Sequence, residues 1–398
     1  MTDGITRITV EGFKSISEKQ SIEIAPLTIL AGANSSGKSS IMQPLLLLKQ
    51  TNAVTFDPGP LLLSGGNVEF TSSDQFLSRS ATRFSVEIAV PHLAFAVTFS
   101  KRSGSGLEIL EESLKEARRT TTLRPEMSSS EIGHQLGVET KGTLSIQPQR
   151  FFLNVTGEGS VRSPMTWIAP WIDDVIHVPG LRGNRSRMST VSAVGRSFPG
   201  TFDNYTASVI LLWQKQERQS SHYADLNADL NEIGLAEKVS ARQINEAAIE
   251  LLVDTQFNIA DVGFGVSQTL PVLVALRAAS EGQLVYLEEP EIHLHPRAQV
   301  RLAEVIARAA KRGVRVVAET HSTLLLTAIQ TLVAKGELKP DLVKLHWFQR
   351  DLSSGATKVT PASLDENGAF GDWPEDFDDV ILKAESAYLD AVEGRQVL

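Results

Sequence analysis

The stretch Gly32-Ala33-Asn34-Ser35-Ser36-Gly37-Lys38-Ser39 matches the phosphate-binding loop pattern G-x-x-x-x-G-K-[ST] at every fixed position. An apolar run at residues 26–31 precedes the loop and predicts a buried strand, and a second apolar run at residues 41–48 predicts a helix. Strand, loop and helix therefore follow one another in the order that a phosphate-binding loop requires. The sequence predicts a nucleotide site here.

The residue types of this loop suit a nucleotide with a magnesium ion. Small residues let backbone N–H groups surround the phosphates at the positive end of the following helix. Lys38 is predicted to reach the β- and γ-phosphates, and the Ser39 hydroxyl to bind Mg²⁺. The other residues predicted to contact the nucleotide are Gly32, Asn34, Ser35, Ser36, Gly37 and Ser40. The predicted cofactors are ATP and Mg²⁺.

Composition places the chain among ordinary globular proteins. Its 398 residues are 42% apolar and 21% charged, which allows a sizeable core in two domains or one large one. The absence of cysteine excludes disulfides and thiolate metal sites and fits a reducing cytosol. The N-terminus lacks a targeting pattern, and the apolar runs are too short to span a bilayer. We therefore expect a cytoplasmic protein without a membrane segment.

Charge argues against nucleic acid as the main partner. The net charge is −9, so nucleic-acid binding would need a local basic patch. One such patch is Arg182, Arg185 and Arg187, and a second is Arg118, Arg119 and Arg124; we interpret both as solvated surface charge. Residues 365–393 hold ten carboxylates against the single Lys383, and this acidic end favours a protein partner.

The order of periodic segments predicts the fold class. Alternating residues predict strands near residues 5–10, 21–25, 84–100 and 142–155, with a polar loop at 118–130. Helical spacing follows at residues 201–216 and 223–235, and from 268 onward helices alternate with buried strands. We predict an α/β fold with a mixed sheet, divided into residues 1–60, an inserted β-rich and helical lobe at 61–255, and residues 256–398.

Chemistry-bearing residues follow two buried strands. Glu288 and Glu289 end the strand at residues 284–287, and His321 follows the strand at 314–318. The carboxyl ends of parallel strands share one edge of a sheet, where α/β proteins bind ligands. A carboxylate there can polarise the water that attacks a γ-phosphate, so Glu289 is the predicted general base. His321 is the predicted γ-phosphate sensor, and Glu288 is similar in position to the magnesium-organising acid of ABC-type P-loop ATPases, which implies that role for it.

A second glycine-bearing loop runs into a helix just before the acidic strand. Residues 261–268 read Asp-Val-Gly-Phe-Gly-Val-Ser-Gln, and a helix N-terminus with small residues is a possible phosphate-binding surface. Gly265, Ser267 and Gln268 are its predicted nucleotide contacts. His293 and His295, farther along, are spaced for a metal, but without a thiol or an evident third ligand we interpret them as structural.

Together these motifs resemble the SMC-like ABC ATPases, in the branch that contains the overcoming-lysogenization-defect proteins and ATPases of bacterial defence operons. The segments that carry the resemblance are residues 12–16, 32–40, 263–271, 284–296 and 320–322. The resemblance implies an ABC-type P-loop ATPase head in which two copies sandwich ATP. Ser267 of one head would then contact the γ-phosphate held by Lys38 of the other. Glu288 stands where many relatives have Asp, and the Q-loop glutamine is either Gln50 or Gln75.

The resemblance also implies a function. The leading hypothesis is a nucleotide-switched dimeric sensor or scaffold that controls a separately encoded effector, a nuclease or toxin made by an adjacent gene in antiphage defence. The rival is a DNA-repair or chromosome-associated ATPase that clamps DNA, for which long coiled-coil arms or a basic groove are expected. Neither feature is visible in the sequence, and the rival remains the alternative.

Overall fold

The computed structural model describes residues 4–79, 81–102, 106–117, 119–138, 142–157, 165–182, 186–216 and 220–371. Its strands are β1 (Arg7–Glu11), β2 (Gln20–Glu23), β3 (Leu27–Gly32), β4 (Arg83–Val90), β5 (Leu93–Arg102), β6 (Gly106–Glu116), β7 (Arg119–Leu123), β8 (Ser145–Gln149), β9 (Phe152–Thr156), β10 (Ile176–Val178), β11 (Ser189–Thr190), β12 (Val239–Gln243), β13 (Ala248–Val253), β14 (Phe257–Asn258), β15 (Leu284–Glu288), β16 (Arg315–Thr320), β17 (Val343–Arg350) and β18 (Thr357–Ser363). Its α-helices are α1 (Lys38–Ala53), α2 (Ser129–Leu136), α3 (Met165–Asp173), α4 (Thr206–Lys215), α5 (Ser220–Ile233), α6 (Phe264–Ala278), α7 (Pro296–Lys311) and α8 (Thr323–Ala334).

The sheet that positions the predicted nucleotide site has the strand order β10-β15-β16-β3-β17-β18, and we call it the nucleotide sheet. Its neighbours pair in parallel from β10 to β17, and β18 pairs antiparallel with β17, so the sheet is mixed. The phosphate-binding loop joins β3 to α1 as predicted. The predicted α/β class with a mixed sheet is confirmed, and β-rich and helical parts accompany this sheet.

Strand β3 is buried along its whole length because strands flank it on both sides and two hydrophobic clusters cover its faces. Leu27 and Ile29 point into the cluster that contains much of α6 and α7. Leu30 points to the opposite cluster, which contains α1 and β1. The unbroken apolar run before the loop thus reflects a strand buried on both faces, as in most parallel sheets.

A second sheet has the order β2-β1-β4-β5-β6-β7, with antiparallel pairing throughout. It contains the predicted strands near residues 84–100 together with the two N-terminal strands, whereas β8 and β9 pair with each other in a separate sheet. Strand β10, from the predicted middle lobe, instead joins the nucleotide sheet beside β15. The antiparallel sheet therefore crosses the division drawn at residue 60, and the nucleotide sheet crosses those at 60 and 255; both divisions stay predictions.

The polar stretch at residues 118–130 was wrongly predicted to be a loop. Part of it forms β7, which pairs with β6, because threonine side chains suit a pleated strand. Ser128 begins α2 with a capping box, in which its hydroxyl accepts from the Glu131 N–H while the Glu131 carboxylate accepts from Ser128. The acidic helix predicted near residues 376–392 lies outside the described residues.

None of the helices described in the structure combines the length and apolar character needed to cross a bilayer. Phe370, an aromatic residue of the acidic end, is buried in the cluster that contains α8 and β17. It therefore docks the end of the described chain onto the nucleotide sheet. The other three aromatics of that end, Trp373, Phe377 and Tyr388, lie outside the described residues.

Glu112, on β6, is a buried carboxyl group far from the nucleotide sheet, and it predicts a pH-dependent stability. Its Oε2 accepts the Leu153 N–H at 2.9 Å, while Oε1 has no partner, and burial raises the pKa of Glu112 to about 8. Between about pH 4.5 and 8 the unfolded chain ionises here while the folded chain keeps the proton, so the free energy of unfolding falls as pH rises.

Glu112→Gln mimics the protonated acid and should remove this loss. Relative to the parent, the variant should gain up to about 1.4 kcal/mol of unfolding free energy per pH unit across the window. Urea unfolding at three pH values measures it. Glu108→Gln, on the same strand with its side chain 45% exposed, is the control that should show no trend. A pH-independent difference for Glu112→Gln would contradict the prediction.

Candidate functional site

The carboxyl ends of β3, β15 and β16 lie at one edge of the sheet and open on a cleft of about 790 Å³. Residues 34–40 of the phosphate-binding loop line this cleft, and Gly32 lies at the end of β3 directly before them. Glu289 and His321 line the same cleft. The structure therefore brings together side chains that the sequence places in three distant segments.

Two glycines shape the loop. Gly37 caps α1 with φ 103° and Gly32 has φ 147°, both in the region that favours glycine. A Cβ atom on Gly37 would collide with the hydroxyls of Thr357 and Ser15. The Thr357 Oγ1 also donates to the Ser36 carbonyl at 2.7 Å, so β18 supports the loop from behind. The loop is held in its curled form by contacts that leave no room for a side chain.

Lys38 and Ser39 sit at the start of α1. The Lys38 Nζ donates to the carbonyls of Gly32 at 3.1 Å and Ala33 at 3.0 Å. Burial lowers the pKa of Lys38, and the charge of Glu319 opposes that shift most strongly. The Ser39 Oγ donates to Glu319 Oε1 at 2.9 Å. A cation and a hydroxyl thus lie side by side at the positive end of a helix, which suits bound phosphate.

Glu289 and His321 face each other across the cleft. Their Oε1 and Nε2 atoms are 3.6 Å apart, and both side chains are partly exposed. Burial and the nearby Lys38 charge lower the pKa of His321, so the ring is neutral at neutral pH. The Glu289 backbone has φ 43°, a conformation that costs a non-glycine residue energy. A solvent-accessible carboxylate beside a neutral imidazole can orient and deprotonate a water molecule.

Glu288 points away from this pair. Its Oε1 lies 3.1 Å from His177 Nε2, and its Oε2 accepts the Gly180 N–H at 3.0 Å. Burial alone would raise the pKa of Glu288, but the His177 contact, the Gly180 hydrogen bond and Arg182 outweigh it and lower the pKa. In the part of the chain that the structure describes, Glu288 is not among the residues lining the cleft. Its predicted magnesium contact stays a prediction.

Glu319 is a site residue that the sequence reasoning missed. It is the last residue but one of β16, lines the cleft, and accepts from Ser39 at one oxygen and from the Tyr286 hydroxyl at the other, at 2.8 Å. Burial raises the pKa of Glu319 to about 7. The signal that marked Glu288, an acid at the end of an apolar strand, was present here too in Ala318-Glu319-Thr320.

Arg182 was wrongly interpreted as solvated surface charge, since only 3% of it is exposed. Its guanidinium donates to the carbonyls of Gln268, Glu288 and Glu289 at 2.7, 2.6 and 3.0 Å. Burial lowers the pKa of Arg182 to about 10, so it stays charged at neutral pH. Arg182 therefore links the start of α6 to the end of β15.

The remaining members of the two basic patches are engaged or outside the described residues. Arg187 pairs with Asp261 at 2.6 Å, and Arg124 pairs with Glu111 at 2.6 Å. Arg119 donates to the Gln135 carbonyl. Arg185 and Arg118 lie outside the described residues. The described arginines of these two patches therefore each have a carboxylate or carbonyl partner.

The second glycine loop lies apart from the cleft. Ser267 is half-buried in the first turn of α6 and donates to the Phe264 carbonyl at 3.2 Å, whereas Gln268 is buried and its Oε1 accepts the Arg182 backbone N–H at 3.4 Å. Gly265 packs near Leu235 and the His293 carbonyl. Within the described chain none of the three lines the cleft around Lys38. Their predicted nucleotide contacts stay predictions.

Several polar residues complete the cleft. Gln75 lines it, whereas Gln50 is buried and donates to the Leu62 carbonyl at 2.6 Å, so the geometry favours Gln75 of the two Q-loop alternatives. Three further basic residues that the sequence did not single out also line it: Lys14, Arg79 and Arg350. His295 Nδ1 accepts the Arg297 N–H and caps α7, and the His293 ring lies against Phe264. Polyphosphate would meet positive charge on several sides of the cleft.

Two family models match parts of the chain. Residues 4–114 match a model described as "AAA ATPase domain", and residues 195–327 match one described as "AAA domain, putative AbiEii toxin, Type IV TA system". Both parts are similar to AAA-type ATPase domains. The first includes the phosphate-binding loop, and the second includes the acidic strand end and His321. No curated protein matched the chain.

Among solved structures the chain is similar to SMC head domains. One is an SMC head bound to the C-winged helix domain of ScpA, with 14% identity, coverage of 91% of this chain and 98% of that one, and a TM-score of 0.47. Another is the SMC head from Thermotoga maritima, with 11% identity, coverage of 90% and 98%, and a TM-score of 0.39. A third, from Pyrococcus furiosus with an extended coiled coil, is bound to the C-terminal domain of ScpA; it has 11% identity, coverage of 98% and 100%, and a TM-score of 0.44. These values are too low to carry an inference about this chain.

Proposed function

We propose that this protein is an SMC-like ABC ATPase that binds and hydrolyses ATP between two copies of itself. The observation that carries the proposal is the cleft in which Lys38, Ser39, Glu289 and His321 meet at one sheet edge. Lys38 would neutralise the β- and γ-phosphates, and Glu289 would accept a proton from the attacking water. His321, held 3.6 Å from Glu289, would orient that water or the γ-phosphate.

Magnesium fits the oxygens present at this edge. Ser39 supplies a hydroxyl and the strand ends supply carboxylates, the oxygen ligands that Mg²⁺ accepts alongside nucleotide phosphates. When bound, the ion neutralises charge that develops on the phosphate oxygens. The chain's own part is to hold its side-chain oxygens beside Lys38, at the N-terminus of α1.

The position of the second glycine loop supports a dimer. Ser267 is half-buried and is not among the described residues that line the cleft of its own chain, so its predicted γ-phosphate contact would need a second copy. In a two-fold dimer each copy would supply a phosphate-binding loop to one site and Ser267 to the other. Both sites would then need both chains.

Mixing two inactive variants tests this arrangement. Lys38→Ala and Ser267→Arg should each lack ATPase activity, because either change damages both sites of its own homodimer. In a one-to-one mixture, random pairing should restore roughly a quarter of the parental sites, since each heterodimer has one intact site. Phosphate release by the separate and mixed samples measures this. A mixture as inactive as its parts would contradict the two-chain site.

The biological role belongs to the same proposal. A nucleotide-switched dimer would control a separately encoded effector, a nuclease or toxin from an adjacent gene, in antiphage defence. None of the described strands of the antiparallel sheet lines the cleft, so this sheet would offer a surface for that partner. Co-purification with the product of the adjacent gene, with and without ATP, tests the partnership.

The alternative of a DNA-clamping ATPase gains no support from the described arginines of the two basic patches. Arg182 is buried against main-chain carbonyls, and Arg187 and Arg124 are paired with carboxylates. Non-specific DNA binding depends on free cationic side chains that replace counterions. The dimeric switch is therefore the function we favour.

A further inference from the structure

Glu319 lies in the cleft beside Ser39, and both oxygens of its carboxylate accept hydrogen bonds. Its Oε1 accepts the Ser39 hydroxyl at 2.9 Å, and its Oε2 accepts the Tyr286 hydroxyl at 2.8 Å. Tyr286 itself is fully buried on the acidic strand β15. Since both oxygens have fixed partners, the carboxylate is oriented before any ligand arrives.

The strand order explains why Glu319 reaches Ser39 and Glu288 does not. The two acids are register partners on the parallel strands β15 and β16. Strand β16 lies between β15 and β3, so Glu319 is one strand closer to the phosphate-binding loop. Glu288, one strand farther away, is instead held by His177 Nε2 and the Gly180 N–H.

Hydrogen bonding ties Glu288 into a structural network. His177 is buried, and its Nδ1 lies 3.1 Å from the Asn67 Nδ2, which also donates to the Gly200 carbonyl at 2.9 Å. The Glu288 carbonyl accepts from Arg182. Moving the Glu288 carboxylate to Ser39 would leave His177 and the Gly180 N–H without this acceptor, at the cost of unmade buried hydrogen bonds.

The oxygens of Ser39 and Glu319 suit a divalent cation whose other ligands come from nucleotide phosphates and water. In the described residues no group of three or more His, Asp or Glu side chains is arranged to hold a metal ion. Mg²⁺ is commonly bound by one or two protein oxygens together with substrate phosphates and water. A hydroxyl and a carboxylate 2.9 Å apart beside Lys38 match that requirement.

We infer that Glu319, rather than Glu288, supplies the carboxylate for the magnesium ion of the bound nucleotide. In this assignment, which rests on the proposed ATPase function, Tyr286 is a positioning residue that holds Glu319. Glu288 is a structural residue that anchors the acidic strand to His177.

A matched pair of variants separates the two acids. Glu319→Gln and Glu288→Gln make the same change at register partners on adjacent strands. The measurement is the free Mg²⁺ concentration that half-saturates binding of a fluorescent, non-hydrolysable ATP analogue. Glu319→Gln should raise it at least about tenfold, a usual loss when a metal-site group is altered. Glu288→Gln should change this Mg²⁺ concentration less than about threefold, which is smaller than the change expected when a group of the metal site is lost.

Tyr286→Phe is the second variant, and it keeps the carboxylate while removing the hydroxyl that orients it. It should shift the Mg²⁺ requirement in the same direction as Glu319→Gln but by less. In excess EDTA, the parent and all three variants should bind the analogue with the same affinity. A variant that had lost its fold would bind more weakly in EDTA too, so this measurement separates misfolding from loss of the metal group.

The outcomes distinguish the inference from the function on which it rests. A parent protein that binds no analogue at any Mg²⁺ concentration would overturn the proposed function and the inference with it. A parent that binds normally while Glu288→Gln, and not Glu319→Gln, shifts the Mg²⁺ requirement would overturn the inference alone. Equal requirements in the parent and Glu319→Gln would also overturn it.

Discussion

Replacing Lys38 by Ala should lower the affinity for ATP by about 100-fold or more, because the change removes the cation paired with the β- and γ-phosphates. Lys38 lies at the N-terminus of α1, where its Nζ is within hydrogen-bond distance only of the Gly32 and Ala33 carbonyls and of open cleft. The helix begins at this residue, and alanine has a higher helix propensity than lysine. The fold should therefore survive the change.

Isothermal titration with ATP and Mg²⁺ measures the loss, and thermal unfolding shows whether the variant is folded. Lys311→Ala removes an exposed lysine at the end of α7, away from the cleft, and should bind ATP like the parent. If Lys38→Ala is folded and keeps parental affinity, the nucleotide does not bind at this loop.

Glu289→Gln should bind ATP with parental affinity and hydrolyse it about 10²- to 10⁴-fold more slowly, the usual effect of removing a general base. Glutamine has nearly the same shape but cannot accept the proton of the attacking water. It also keeps the backbone conformation of the parent residue, in which Glu289 has φ 43° and its carbonyl accepts from Arg182 at 3.0 Å. Because hydrolysis ends the bound state, the variant should accumulate as an ATP-bound dimer.

Single-turnover phosphate release and light scattering in the presence of ATP measure the two effects. Glu337→Gln changes an exposed glutamate after α8 and should leave both unchanged. Should Glu289→Gln turn over at the parental rate, Glu289 is not the base, and the neighbouring acids of the same edge become the alternatives.

The sequence was informative wherever function depends on residues close together in the chain. The phosphate-binding loop needs glycines at fixed spacing, and the structure gives both Gly32 and Gly37 a positive φ. The apolar strands before Glu288 and His321 were also predictable, because a strand buried on both faces has an unbroken apolar run. Local pattern and local geometry agree at these points.

The partners of these residues could not be predicted because they depend on pairing between distant segments. Glu319 meets Ser39 because β16 is placed beside β3, with Thr320 opposite Ala31. Glu288 turns to His177 on β10, a strand of three residues that is too short to show a periodic pattern. Arg182 looked like surface charge because the carbonyls to which it donates belong to residues distant in the sequence, and the sequence does not show that they lie together.

The central place of β3 has a consequence for how the protein is made. Its neighbours β16 and β17 lie far toward the other end of the chain, and Thr357, which supports the phosphate-binding loop, is later still. While the ribosome is still translating the middle of the message, the nascent chain carries β3 and α1 with their apolar side chains uncovered. Such late closure of distant contacts slows folding and exposes the intermediate to aggregation. A chain that stops before β16 would lack Glu319, His321 and Thr357, so it could not complete the cleft.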